Sequence, residues 1–379
     1  MLNNNRIIIV LPGFKLGGAE RQALLLARHL RHEQKAQVEV WGLTYPGQAT
    51  ELCDSYGLPW RIIPMTWSYD RMMRFKAWTK FTWAMRQARP DIILPYTIRP
   101  NVICGQVWRL TGAQLCLWNQ RDEGRSNRVG RRFQRWAARQ TPLFVSNSGH
   151  GQEFLVQTLG VPPDKISVIY NGVELAAPEA NRIAWRKRLE IKDNCLLVAM
   201  VANLHGFKDH ATLLRAWRQV VDRLEEVGRS AVLLLAGRFE DTTELLQSLA
   251  RDLALGESVR FLGWMDDIAG LLGAIDLGVF SSHYEGCPNG LLECMAAGLA
   301  VAATDVEGIR EAVGPEGYEW LAPPGDAGTL AQRIVKLALN PELRSRLGNI
   351  NRRRIETEFS PQRMSEQTVA LIEHGLQRQ

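Results

Sequence analysis

The chain has 379 residues, 46% hydrophobic and 23% charged, with a formal net charge of +6, the profile of a globular protein of two domains rather than one. No apolar run approaches the roughly 20 residues of a membrane-spanning helix, and the run at 7–11 is too short for a signal-peptide core, so a cytoplasmic location is expected. The six cysteines include no CxxC pair, which argues against a disulfide framework or a zinc site. The positive balance suits a nucleic acid, a membrane or a phosphorylated partner without choosing among them.

Residues 7–11 are a β-branched run, the first strand, followed by a glycine-rich turn and a helix with Ala23, Leu24, Ala27 and Leu30 at helical spacing. Strands follow at 38–43, 91–95, 114–118 and 143–147, and 164–173 reads as the last strand of the series plus a turn. These runs lack polar alternation, as strands buried on both faces of a parallel sheet do. Residues 174–190, polar and proline-containing, read as the linker. The pattern then restarts, with strands at 196–202, 231–236, 259–262, 277–281 and 300–304 and helices at 210–226 and 244–255; the tail 341–379 is helical and arginine-rich. Two βαβ series predict an α/β protein of two doubly wound Rossmann-like domains, over 1–175 and 190–359, with a helix at about 360–379 packing back on the first. Ligands are expected at the carboxyl ends of the strands, in a cleft across which the domains face.

The most informative stretch is 281–311. A strand ends at Ser281, a turn of Gly286, Cys287, Pro288, Asn289 and Gly290 follows, and Leu291, Leu292, Met295 and Ala296 open a helix. First-turn amides lack partners inside the helix, and with the helix dipole they make an anion site suited to a diphosphate. Glycine at 286 and 290 lets a ligand approach the backbone. Glu285 and Glu293 bracket this site. Glu293 suits the hydroxyls of a nucleotide ribose, and Glu285 would face the group carried by the diphosphate. The competing readings are a solvated first-turn glutamate at 293 and a loop carboxylate at 285.

The pattern Glu-Gly-x-Pro followed by Leu-Glu-Ala-Met-Ala-x-Gly-x-Pro-Val resembles the signature of glycosyltransferase family 4. The chain has Glu285-Gly286-Cys287-Pro288 and then Leu292-Glu293-Cys294-Met295-Ala296-Ala297-Gly298-Leu299-Ala300-Val301, departing at Cys287, Cys294 and Ala300. The resemblance implies the GT-B fold, transfer with retention of configuration, and a bacterial glycan-synthesis role. It implies that Lys208, in a string at 201–210 similar to the family's diphosphate loop, binds the donor. Asn203 stands where the family usually has arginine; it donates a hydrogen bond but neutralises no charge. The loop at 12–20 resembles the family's Gly-Gly-Ala-Glu turn, which implies donor contact by the amides of Gly17 and Gly18. The segment 261–265 resembles the base-binding segment, with the backbone near Met265 on the nucleobase. Lys208 and Glu285 are the expected catalytic pair. The expected donor-binding set is Gly17, Gly18, Asn203, Met265, Glu293 and the turn from Gly286 through Leu291.

The histidine that many family members carry after the fifth strand is missing from 117–124, where Arg121, Asp122 or Glu123 would take acceptor contacts, Arg121 foremost. The seven histidines have no metal-ligand spacing and no DxD string is present, so no metal or other cofactor is expected. His283 reads as a loop histidine.

The expected function is retaining, metal-independent transfer of a sugar from a nucleoside-diphosphate sugar, a UDP-sugar above others, to a glycan or lipid-linked acceptor in bacterial surface polysaccharide synthesis. A sugar-nucleotide epimerase or a phosphorylase on the same scaffold is the alternative. A nucleic-acid-binding protein is suggested only by charge and lacks a binding module; a dinucleotide dehydrogenase would need GxGxxG in the first turn. Two basic segments interleave cations with aromatics: 71–89, with Arg74, Lys76, Lys80 and Arg86 among Phe75, Trp78, Phe81 and Trp83, and 121–139, with Arg125, Arg128, Arg131, Arg132 and Arg135 beside Phe133 and Trp136. Such helices lie at anionic membrane surfaces, so peripheral contact with the inner membrane face is one expectation. Ordinary helices with aromatics packed on the sheet and arginines solvated are the other.

Overall fold

Every residue of strand β1 (Arg6–Leu11) after the first is buried, as an interior strand covered on both faces requires. The computed structural model describes residues 2–65, 71–121, 129–192 and 194–378; Asp122, Glu123, Arg125 and Arg128 lie outside them. After β1 come α1 (Gly18–His32), β2 (Gln37–Gly42), α2 (Gln48–Ser55), β3 (Trp60–Ile62), α3 (Arg71–Ala88), β4 (Ile92–Pro95), α4 (Ile98–Thr111), β5 (Leu115–Gln120), α5 (Arg131–Gln140), β6 (Leu143–Ser146), α6 (Gly149–Glu153) and β7 (Ile166–Val168). The strands form one 7-stranded sheet in the order β3-β2-β1-β4-β5-β6-β7, parallel throughout. The order reverses between β1 and β4, so their carboxyl ends splay two loops apart and leave a crevice.

The second series opens with α7 (Arg182–Arg188), inside the stretch read from sequence as a linker. Trp185 explains the difference: it is buried, and its indole Nε1 donates to the Asp267 carboxylate at 2.8 Å. There follow β8 (Leu196–Val201), α8 (His210–Glu225), β9 (Ala231–Ala236), α9 (Thr243–Asp252), β10 (Val259–Gly263), α10 (Ile268–Ala274), β11 (Leu277–Phe280), α11 (Asn289–Ala296), β12 (Val301–Thr304), α12 (Glu307–Val313), β13 (Leu321–Ala322), α13 (Ala327–Ala338) and α14 (Pro341–Glu358). The 6-stranded sheet runs β10-β9-β8-β11-β12-β13, with its reversal between β8 and β11.

The last helix, α15 (Pro361–Gln377), packs on α1 and β5. Gln22 of α1 exchanges two hydrogen bonds with the backbone of Gly172, at 2.9 and 2.8 Å. A Cβ on Gly172 would press on Pro361, so glycine lets the two segments meet there. The chain accordingly forms two units, Met1–Gly172 with Pro361–Gln379, and Val173–Ser360. Each is the doubly wound α/β domain that the sequence predicts.

The two basic helices behave in a mixed way. Phe81 and Met85 of α3 are buried, Phe81 edge-on to Trp41 at 6.2 Å. Phe75 and Trp83 of the same helix, and Phe133 and Trp136 of α5, are exposed, so packing on the sheet does not account for these four. Among the described residues no helix is long and apolar enough to cross a membrane. Among the described residues the cysteines form no disulfide, and all are buried except the half-buried Cys287; burial pushes the Cys53 thiol up to about 12.

Candidate active site

Lys208, Glu285 and the turn from Gly286 to Leu291, which sequence singles out in the second unit, gather at its strand-order reversal. Strands β8 and β11 lie side by side, and the loops leaving their carboxyl ends are laced together. The Asp209 amide donates to Ser281 O at 3.0 Å and the His283 amide to Phe207 O at 3.1 Å. Lys208 comes just before α8, whose N-cap Asp209 accepts from the Thr212 amide at 3.0 Å. This fixes the backbone from which the Lys208 side chain leaves.

Lys208 Nζ donates to Glu285 Oε1 in an ion pair, with the two side chains 23% and 9% exposed. The Ser282 hydroxyl donates to the same carboxylate oxygen at 2.6 Å. Ser282 is itself held by Thr304 at the end of β12: its amide donates to Thr304 Oγ1 at 2.9 Å, and that hydroxyl donates back to Ser282 O at 3.0 Å. A Cβ on Gly308, in the first turn of α12, would collide with the carbonyls of Glu285 and Gly286. Glu285 is therefore a positioned, nearly buried carboxylate and not a loose loop glutamate. Lys208 likewise is not the exposed lysine of an ordinary helix start.

Helix α11 begins one residue after Pro288, its N-cap, which supplies no side-chain cap. A Cβ on Gly290 would overlap Val201 O and lie 2.9 Å from Phe280 Cζ. That close approach seats the helix tip on the ends of β8 and β11, the two strands that carry Lys208 and Glu285. Leu291 is fully buried, so only its backbone is available to a ligand, while Gly286, Cys287 and Asn289 are half-buried. Glu293 is half-buried on α11.

Asn203 takes a bracing position. Its Oδ1 accepts from the Arg238 amide at 3.1 Å and its Nδ2 donates to Glu240 at 3.4 Å, tying the loop after β8 to the loop after β9. Met265 follows β10 at the sheet's edge, two strands away from β8 in the order, and is half-buried. The neighbouring Trp264 carries the Arg238 guanidinium 4.3 Å from its ring centroid. Sequence reasoning missed Ser282, Thr304 and Arg238. The one available signal was that each falls just after a strand's carboxyl end or on its last residue, where the ligand side of such a sheet lies.

In the first unit, Gly17 is the N-cap of α1 and Gly18 its first residue. A Cβ on Gly17 would lie 2.8 Å from Glu20 Oε2, so the acid of the first turn folds back over the glycine pair. Arg121, at the end of β5, is clamped: Nη1 donates to Asn171 Oδ1 at 3.1 Å, Nη2 donates to Asn119 Oδ1 at 3.2 Å, and the guanidinium stacks 4.7 Å from the Tyr96 ring. Burial pushes the Tyr96 phenol up, against the pull of that charge. Beside it Thr97 has φ 70°, a strained conformation for a β-branched residue and one that persists only where the surroundings impose it. It caps α4 at the reversal between β1 and β4.

His210 behaves as a structural group with a pH signature. It is fully buried, its Nδ1 is 3.2 Å from Lys208 O, and burial holds the imidazole down to about 4. The unfolded chain takes up this proton near pH 6.5 and the folded chain resists it. Stability should therefore fall as pH drops from about 6.5 to about 4, by up to roughly 3 kcal/mol from this group, with no contribution above that window. Urea unfolding across that range checks it: His210→Gln should flatten the acid slope, and an unchanged slope would refute the assignment. His283 is exposed in its loop, 3.7 Å from Asp209.

Two doubly wound Rossmann-like units in one chain are the architecture of the GT-B class of glycosyltransferase fold. The chain belongs to glycosyltransferase family 4: residues 16–177 match the family described as Glycosyltransferase Family 4, and residues 196–340 match Glycosyl transferases group 1. An Escherichia coli relative, UDP-Gal:alpha-D-GlcNAc-diphosphoundecaprenol alpha-1,3-galactosyltransferase, is 27% identical over 205 residues, 53% of this chain and 52% of that protein. A Campylobacter jejuni relative, N-acetylgalactosamine-N,N'-diacetylbacillosaminyl-diphospho-undecaprenol 4-alpha-N-acetylgalactosaminyltransferase, is 29% identical over 211 residues, 55% of this chain and 53% of that one. The chain spans about half the length of these curated relatives. The crystal structure of HepE from Anabaena in complex with UDP and glucose shares the fold, with a TM-score of 0.84 at 19% identity over 98% of this chain and 100% of that one.

Proposed function

We propose that the protein transfers a sugar, with retention and without a metal ion, from a UDP-sugar to a glycan or lipid-linked acceptor in bacterial surface polysaccharide synthesis. The observation that carries this reading is the pairing of Lys208 with a nearly buried Glu285 at the strand reversal from which α11 starts. A diphosphate at the α11 N-terminus meets first-turn amides and the Lys208 ammonium together, and these supply the positive charge that a metal would otherwise bring to the leaving group. As the bond from the anomeric carbon to the phosphate oxygen breaks, the acceptor oxygen bonds to that carbon on the same face and its proton passes to the departing phosphate. Glu285, held by Ser282, orients the sugar hydroxyls and lies near the positive charge that develops on the ring. Glu293 binds the ribose. The UDP in the HepE structure and the lipid-diphosphate acceptors in the two relatives' names support the donor and acceptor classes. The exposed aromatics and the arginines of α3 and α5 support peripheral contact with an anionic membrane.

The test is a transfer assay with UDP-sugars and a lipid-diphosphate glycan, run in excess EDTA, with the product anomer read by NMR. Transfer at an undiminished rate with retained configuration is expected. Inversion, or a rate abolished by EDTA and restored by a divalent ion, would contradict it.

A further inference from the structure

Helices α3, α4 and α5 of the first unit enclose a groove of about 720 Å³ with mainly apolar walls. Helix α3 has already spent one apolar face, Phe81 and Met85, on the core, yet Phe75 and Trp83 stand 69% and 64% exposed on its groove side. Leu110 of α4, 60% exposed, and Trp136 of α5, 51% exposed, continue the surface across the groove. A helix apolar on two faces calls for a second non-aqueous partner.

The charge around the groove has one sign. The three helices contain arginines and lysines and not a single aspartate or glutamate. Arg74 and Arg86 line the groove itself. The Arg74 guanidinium lies 5.7 Å from the Phe133 ring centroid, so the cation joins α3 to α5. The trench is held from beneath as well: Gln106 Nε2 donates to Phe133 O at 3.3 Å, and Trp108 Nε1 to Gln140 O at 2.9 Å, fastening α4 to α5. A concave apolar trench with arginines at its rim matches a hydrocarbon chain carrying an anionic head. A flat bilayer surface would not fill it.

We propose that this groove binds one long hydrocarbon chain of a lipid phosphate, with the arginine at one end of the groove, Arg74 or Arg86, meeting the phosphate. The inference rests on the lipid-linked acceptor named above and says where the lipid is held.

Calorimetric titration of the full chain with farnesyl diphosphate tests it, with UDP in excess to fill the donor site. Farnesyl diphosphate should bind at least about tenfold more tightly than pyrophosphate, because the chain buries apolar area. The double variant Trp83→Ser with Trp136→Ser should lose about tenfold or more of that affinity. Leu110→Trp, which fills the groove from a third helix, should lose as much, and both variants should bind UDP as the wild type does. Equal farnesyl diphosphate binding by wild type and double variant would overturn the proposal. So would equal binding of pyrophosphate, or binding only to anionic phosphatidylglycerol vesicles, which would make the surface a bilayer contact. Farnesyl diphosphate binding that depends on Trp83 and Trp136 in a protein that ignores UDP would support the groove while sinking the donor assignment.

Discussion

Lys208→Ala is expected to lower turnover of a UDP-sugar by about 10²- to 10³-fold, the scale on which a single preorganised group at a charge-developing atom acts. The leaving diphosphate gains charge as the glycosidic bond breaks, and the Lys208 ammonium is the cation that the fold holds beside Glu285 at the α11 tip. The fold should survive the change. Glu285 keeps its hydrogen bond from Ser282 at 2.6 Å, and the α8 cap at Asp209 does not involve the lysine side chain. Initial rates, with the unfolding midpoint measured alongside, separate the outcomes: a full rate in Lys208→Ala would remove the lysine from the chemistry, and Lys208→Arg should recover part of the loss.

Gly290→Ala should cost both stability and nucleotide binding in the second unit. The added Cβ would overlap Val201 O and sit 2.9 Å from Phe280 Cζ. Val201 ends a strand paired to β9 along its whole length and to β11 beside it, so it has little room to yield and α11 must move instead. A loss of about 2–4 kcal/mol of stability is expected, together with loss of nucleotide binding as the helix tip leaves its place. Gly273, in the last turn of α10, has open space where a Cβ would go. Gly273→Ala is thus the control that should leave both properties near wild type. Thermal unfolding with and without UDP reads both; a Gly290→Ala protein as stable as wild type would show that the helix seat is not tight.

The contrast between these two glycines indicates what the amino-acid order reveals. The interior strands were legible because a strand buried on both faces reads as an unbroken apolar run, as in Ile7 through Leu11. The edge strands β3 and β13 were not, being three and two residues long and paired on one side only. Helix α11 announced itself through Pro288, Asn289 and Gly290 ahead of Leu291 and Leu292. Its partnership with Lys208 did not, because the lysine and Glu285 are 77 residues apart and meet only where the sheet order sets β8 beside β11. Asn203 shows the opposite limit. Read locally it is a missing positive charge, whereas in the fold its amide braces Arg238 and Glu240. Thr97 carries no signal at all, since a positive φ without glycine or asparagine leaves nothing for a turn motif to match.

The most direct measurement is a calorimetric comparison of UDP, UMP and uridine binding to the wild-type chain and to Lys208→Ala. Affinity in the wild type should rise steeply from uridine through UMP to UDP, and the lysine variant should lose the gain brought by the phosphates while still binding uridine as before. If UDP and uridine bound alike, or if no nucleoside diphosphate bound, the strand reversal at β8 and β11 would not be a diphosphate site.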